Sequence, residues 1–293
     1  MTKQTVFFGL LAAFVSALAY GSNVPYARLS ANMGVAGADI VFYRSLAMIL
    51  LLAALTLVQG DSLKVPREAI GKVIGLGLFT AMVGLTYISS VAFIPVGVAT
   101  IIFYTFPLII LVASPFIDGE RLTFPRVLIF LVAFAGLFVA IGPSFTSLDW
   151  RGLALAFIAA FGATGQFFFA ARATRAMPPI PVGFWTQLIL LPVAATTVFA
   201  IGGPAPLATL AAAWWPVFMT CALFVVAFVL HLKAARAAPP AVIGLVYCAE
   251  PVTSIIVAAF LLNETLALSQ LLGGGLVLLA VIAAVLVERA KPA

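Results

Sequence analysis

Apolar residues run in long stretches along the whole chain, interrupted only by short clusters of charge, proline and glycine. A stretch of about 20 residues crosses roughly 30 Å of hydrocarbon as an α-helix. With the interruptions taken as boundaries, the pattern predicts ten helices, over 5–28, 39–59, 69–92, 95–115, 125–142, 151–175, 181–202, 213–236, 240–261 and 267–288. Membrane-spanning strands would alternate apolar and polar residues in segments of about ten, and these runs are continuously apolar. The expected fold class is therefore all-α, an integral membrane protein with no room for a soluble domain. Composition agrees: of 293 residues, 65% are hydrophobic and 8% charged, with a mean hydropathy of +1.25, against about a quarter charged in soluble domains.

The first run has features of a secretory leader, since Lys3 precedes the apolar region and Ala17-Leu18-Ala19 has the small-x-small form of a cleavage site. The apolar stretch continues past that point, so we read it as the first span. Short loops obey the positive-inside bias. With a cytoplasmic N-terminus, Lys3, Lys64, Arg67, Lys72, Arg121, Arg126, Arg172, Arg175, Lys233, Arg236, Arg289 and Lys291 fall on the inside. Only Arg28 and Arg151 fall outside, and Arg44 lies within the second helix. Both termini are expected in the cytoplasm, in the inner (cytoplasmic) membrane of the cell. The net charge of +6 then lines one lipid face and calls for no nucleic-acid partner. Cys221 and Cys248 fall within predicted helices and read as small apolar residues.

The chain repeats itself. "GLLAAFVSALAYGSN" from Gly9 aligns with "GLALAFIAAFGATGQ" from Gly152, setting Asn23 against Gln166. Pro95 then falls over Pro239, Pro107 over Pro251, and "DGERLT" from Asp118 over "LNETLA" from Leu262. We divide the chain into 1–143 and 144–293. Five helices per half is an odd number, so the second half enters the membrane from the opposite side. Inverted repeats suit alternating access, in which two halves rock about a site near the midplane.

Two segments, "YTFPLIILVASPFIDGERLT" from Tyr104 and "YCAEPVTSIIVAAFLLNETLALSQLLGGGLVLLAVI" from Tyr247, resemble the two copies of the EamA-type repeat of the drug/metabolite transporter superfamily. In that repeat a Glu-Pro pair in the fourth helix is followed by a Gly-Glu-Arg-like turn and a Gly-rich fifth helix. Here the first copy carries Phe106-Pro107 in place of Glu-Pro, and the second carries Asn263-Glu264-Thr265 in place of Gly-Glu-Arg. One membrane glutamate of the Glu-Pro type, Glu250, remains. The resemblance implies a basket in which helices one to four and six to nine surround a central cavity while five and ten brace it. It also implies export of small metabolites, and the branch it suggests exports aromatic and other neutral amino acids.

Tyr247, Glu250 and Ser254 share one stripe of the ninth helix. Pro251 removes a backbone donor, which leaves the Tyr247 carbonyl as a candidate free acceptor. An acidic residue at a helix centre costs about 2.5–3.5 kcal/mol to insert, so Glu250 is a candidate for amine recognition or proton coupling, or else a packing hydrogen bond. Arg44 either binds a substrate carboxylate, pairs with an acid, or snorkels outward. Tyr20 and Asn23, with Ser16, make a polar stripe on the first helix, and Gln166 is the repeat mate of Asn23; both amides are expected near the central axis. Thr80 and Tyr87 on the third helix, Thr100 and Tyr104 on the fourth, and Phe224, Phe228 and His231 on the eighth form further stripes. These read either as ordinary packing or as a largely aromatic pocket wall, with Trp185 reaching it from the seventh helix. His231, the sole histidine, is either a satisfied interior residue or a proton relay. Trp150, Trp214 and Trp215 suit an interfacial belt.

No cofactor and no metal is expected, since no His or Cys cluster supplies ligands. The chain contains no Gly-x-x-x-x-Gly-Lys-Ser/Thr phosphate loop, which argues against a primary pump. It shows no Ser-His or His-Glu-x-x-His arrangement for an intramembrane hydrolase. The expected activity is secondary transport of a small-molecule substrate, with a nucleotide sugar, sugar phosphate or cationic drug as alternative cargo. A phosphate would call for several cavity cations, and only Arg44 is available. The Gly273-Gly274-Gly275 run permits close helix contact within one chain as readily as between two, so a monomer is compatible with the sequence.

Overall fold

The structure is a computed structural model and describes residues 3–91, 93–119, 122–142 and 148–290. Among them are ten spans long and apolar enough to cross a membrane. The first three are α1 (Lys3–Asn32), α2 (Gly37–Gln59) and α3 (Arg67–Ser90). The fourth is broken into α4 (Val96–Phe103) and α5 (Phe106–Ile117), and the fifth is α6 (Phe124–Ile141). The second half repeats this order with α7 (Trp150–Ala176), α8 (Pro179–Ala200), a short α9 (Leu207–Ala212) and α10 (Trp214–Ala237). Its fourth span is again broken, into α11 (Pro240–Val246) and α12 (Ala249–Leu261), before α13 (Leu268–Ala290). The predicted loop between the seventh and eighth spans thus holds a helix of six residues, α9, started by Pro206. It is too short for apolar periodicity to reveal it. Glu120 and Arg121 of the "DGERLT" turn, and the 143/144 division, lie outside the described residues.

Both breaks precede a proline. Pro251 has no N–H for the carbonyl of Tyr247. The Tyr247 carbonyl is not left free, however: the chain tightens there, and the oxygen accepts from the Glu250 N–H at 3.0 Å. A nearer donor has replaced the one that proline lacks.

The principal helix pairs are α1 with α10, α3 with α7, α2 with α8 and α6 with α13. A shift by five spans turns the first pair into the second and maps the other two onto themselves. The α6–α13 pair is in backbone contact, because a Cβ at Gly273 would overlap the Gly136 carbonyl oxygen and the Ala140 nitrogen. Ten spans put both chain ends on one face, called here the terminal face. Near it, Arg126 of α6 pairs with Glu288 of α13 at 2.8 Å, with both side chains 8% exposed. At the opposite face Arg28 reaches Glu264 at 2.7 Å with both groups largely in the open, and Asp39 accepts from the Ala205 N–H. Trp150, Trp214 and Trp215 are exposed at helix starts on that opposite face. Lipid-facing leucines and phenylalanines, such as Leu50 and Phe138, give the bundle its apolar exterior.

Candidate functional site

A cavity of about 480 Å³ lies inside the bundle, within the ~300–1,000 Å³ common for small-molecule sites. It runs from Tyr247 and Glu250 at the break in the ninth span to Gly37 and the exposed Ile201, at helix ends on the face opposite the termini. On the terminal side it ends on a packed apolar layer that includes Leu52, Leu76, Val182 and Leu232. Trp185 reinforces that closed end: its Nε1–H donates to the Leu63 carbonyl in the α2–α3 connection at 2.8 Å. Trp185 is therefore not brought to the cavity, contrary to expectation; it ties α8 to a loop instead. Among the described residues, α6 and α13 contribute nothing to the lining. Their close pairing makes them a brace.

The predicted polar residues Tyr20, Arg44, Thr80, Gln166, Tyr247 and Glu250 do converge on this cavity. The ring of His231 joins them, with Phe224 and Phe228 on the wall. Arg44 lies seven residues into α2, about 10 Å at the helical rise. It does not snorkel: its guanidinium sits over the Phe224 ring, 3.6 Å from the centroid. This cation–π contact holds the charge inward in place of a carboxylate. Arg44 Nε has no hydrogen-bond partner, and no ion pair forms to Arg44 or Glu250 among the described residues. The Tyr104 hydroxyl faces the Glu250 carboxylate, although Tyr104 itself is buried and does not line the cavity.

The remaining candidates lie elsewhere. Asn23 is buried, its amide donating to the Thr220 carbonyl, so it locks α1 to α10 and does not face the axis as expected. Gln166, its repeat mate, donates from Nε2 to Thr80 Oγ1 at 3.2 Å and does line the cavity. Tyr87 and Thr100 bond to each other at 2.8 Å between α3 and α4, outside the lining. Ser254, one turn beyond Glu250, is half-buried and also outside it. The expected hydroxyl stripes are thus mostly helix-to-helix fasteners, because a hydroxyl in an apolar bundle takes the nearest carbonyl or hydroxyl.

Sequence reasoning missed Phe103, Phe106 and Phe167, which line the cavity and pack on one another as tilted rings. A signal existed for Phe106, since the repeat sets Phe106-Pro107 over Glu250-Pro251. At equivalent positions of the cavity wall, one half presents a ring and the other a carboxylate.

Comparison with known proteins decides the family. The model of the EamA-like transporter family matches residues 7–142 and again 150–286. The chain belongs to the EamA-like transporter family. Its two matched segments correspond to the two sets of five spans. Among curated proteins, the S-adenosylmethionine uptake transporter of Rickettsia conorii (strain ATCC VR-613 / Malish 7) is 30% identical over 106 residues, which is 36% of this chain and 35% of that protein. The match thus spans about a third of the relative's length. A solved crystal structure of a protein superposes with a TM-score of 0.79 over 96% of this chain and 97% of its own, at 22% identity, which bears on the fold alone. The family match covers both sets of five spans that enclose the cavity.

Proposed function

We propose that the chain is a secondary transporter of small zwitterions, exporting aromatic or other neutral amino acids by alternating access. One observation carries the reading: the cavity holds a cation, Arg44, and a carboxylate, Glu250, that neutralise neither each other nor any described neighbour. Charges inside a membrane are costly unless something pairs them. A cargo that carries both an ammonium and a carboxylate supplies both partners at once. The ring-lined wall supplies apolar contact for a side chain. The cavity is open away from the terminal face and plugged toward it, as one end state of a rocking cycle between residues 1–143 and 144–293 would be. The excess of Lys and Arg in the loops of the terminal face supports cytoplasmic termini and an inner-membrane location.

A second cargo is favoured by the relative named for S-adenosylmethionine uptake. That molecule is itself an amino acid, with an added sulfonium and a purine ring suited to Phe103, Phe106 and Phe167. The test is exchange in proteoliposomes loaded with unlabelled cargo, using labelled phenylalanine, threonine, S-adenosylmethionine and a nucleotide sugar. Saturable exchange of phenylalanine or threonine, lost by at least about tenfold in Glu250→Gln, supports the amino-acid reading. Exchange of S-adenosylmethionine alone moves the assignment to the second cargo, and full activity of Glu250→Gln removes the carboxylate from the mechanism.

A further inference from the structure

His231 is 3% exposed, is the sole histidine of the chain, and lines the cavity. Its Nδ1 lies 2.9 Å from the Tyr247 hydroxyl. That hydroxyl lies 2.5 Å from Ser16 Oγ, which lies 2.5 Å from the carbonyl oxygen of Ala227. At such separations every one of these contacts needs a hydrogen between its two atoms. The chain of donors then has only one possible direction. The carbonyl only accepts, so Ser16 spends its single hydroxyl hydrogen on Ala227. Tyr247 must therefore donate to Ser16, and its own oxygen must receive the hydrogen on Nδ1 of His231.

The neutral imidazole is thus held as the Nδ1–H tautomer, and Nε2 carries a bare lone pair. That atom has no partner. The Phe167 and Tyr247 rings stand nearly perpendicular to the imidazole, with centroids 4.9 and 5.4 Å from it. Among the described residues, no group other than the Tyr247 hydroxyl hydrogen-bonds to the ring. A buried acceptor left empty is costly until a donor arrives, and the residue that carries it lines the cavity.

We propose that Ser16 and Tyr247 are positioning residues that set His231 Nε2 as a hydrogen-bond acceptor for an N–H or O–H of the cargo. This rests on the cavity being the cargo site; the tautomer does not. The arrangement links three elements, α1 through Ser16, α10 through His231 and Ala227, and the α11–α12 break through Tyr247. Each must be in place for Nε2 to present its lone pair.

A single histidine makes the test clean. The protein is labelled with ¹⁵N-histidine, purified by a tag free of histidine and placed in nanodiscs, and the two ring nitrogens are read by NMR. The expected cargo-free spectrum shows a protonated Nδ1 and an unprotonated Nε2. Saturating phenylalanine or S-adenosylmethionine shifts Nε2 toward the hydrogen-bonded position. In Ser16→Ala, Tyr247 is released to donate to Nδ1, so the Nε2–H tautomer appears and cargo affinity falls about tenfold. Ser16→Thr retains both the tautomer and the affinity. A wild-type spectrum with the hydrogen on Nε2 overturns the proposal, and wild-type folding is enough to obtain it. Cargo that exchanges in proteoliposomes yet leaves Nε2 unshifted overturns the acceptor role, as does protonation of Nε2 near neutral pH without cargo. Failure of both probes to exchange sinks the amino-acid reading and the acceptor role with it, while the cargo-free spectrum still decides the tautomer.

Discussion

Two arginine–glutamate pairs show how depth sets the worth of a charge. Arg126 and Glu288 are each 8% exposed, whereas Arg28 and Glu264 are 62% and 46% exposed. Arg126→Ala removes an ion-pair contact made out of water, so it should destabilise the fold by more than about 1 kcal/mol. Arg28→Ala should cost less than about 1 kcal/mol, since water already screens that pair. Thermal unfolding of the two variants in the same detergent measures the difference, and equal losses would mean that burial does not govern these pairs. Sequence position alone placed all four residues near helix ends without distinguishing them. Arg44 shows the reverse: its spacing left pairing, snorkelling and cargo binding open, and the ring of Phe224 from a distant helix decided its direction.

At the scale of helices, close approach is built from glycine. A Cβ at Gly21 of α1 would overlap the carbonyl oxygen of Glu250 and come within 2.7 Å of Thr253 Cβ. Gly21→Ala should therefore push α1 off α12 beside the cavity carboxylate, lowering exchange at least about tenfold while leaving membrane expression near wild type. Unchanged exchange would show that the contact is not needed there. The α2–α8 pair holds a different feature. Gln187 is fully buried with neither amide atom hydrogen-bonded, and Ser45 Oγ of α2 is likewise unpartnered. Gln187 stands 143 positions after Arg44, its repeat mate. A polar group stranded in one state and paired in the other biases an equilibrium between them. Gln187→Leu should stabilise the state seen here by about 1–3 kcal/mol, raising the unfolding temperature and slowing exchange. A lower unfolding temperature would show that Gln187 is satisfied after all.

The whole molecule opens to the face opposite its termini, and this arrangement predicts a labelling pattern. In a variant with Cys221 and Cys248 replaced by alanine, Leu207→Cys sits at an 84% exposed position on the open face. Thr197→Cys lines the cavity, and Ser62→Cys lies in the α2–α3 connection on the terminal face. A membrane-impermeant thiol reagent added outside intact cells should label the first two, with transported cargo protecting Thr197→Cys, and should reach Ser62→Cys only after permeabilisation. Labelling of Ser62→Cys in intact cells would reverse the orientation.

The ten spans and the all-α class were readable from the chain because the bilayer is a uniform solvent: any run of apolar residues long enough to cross it must satisfy its backbone within a helix. Pro251 likewise pointed to a disturbed backbone at Tyr247, since a missing N–H is a local fact, whereas the matching break before Pro107 was not expected. Cavity membership is a different kind of property. Whether Thr100 faces cargo or Tyr87, whether Asn23 meets the axis or the Thr220 carbonyl, and whether Trp185 lines a pocket or ties down a loop depends on which partner from another helix lies nearest. An isolated polar side chain in an apolar bundle takes the first partner it meets, and only the packed bundle decides which partner that is.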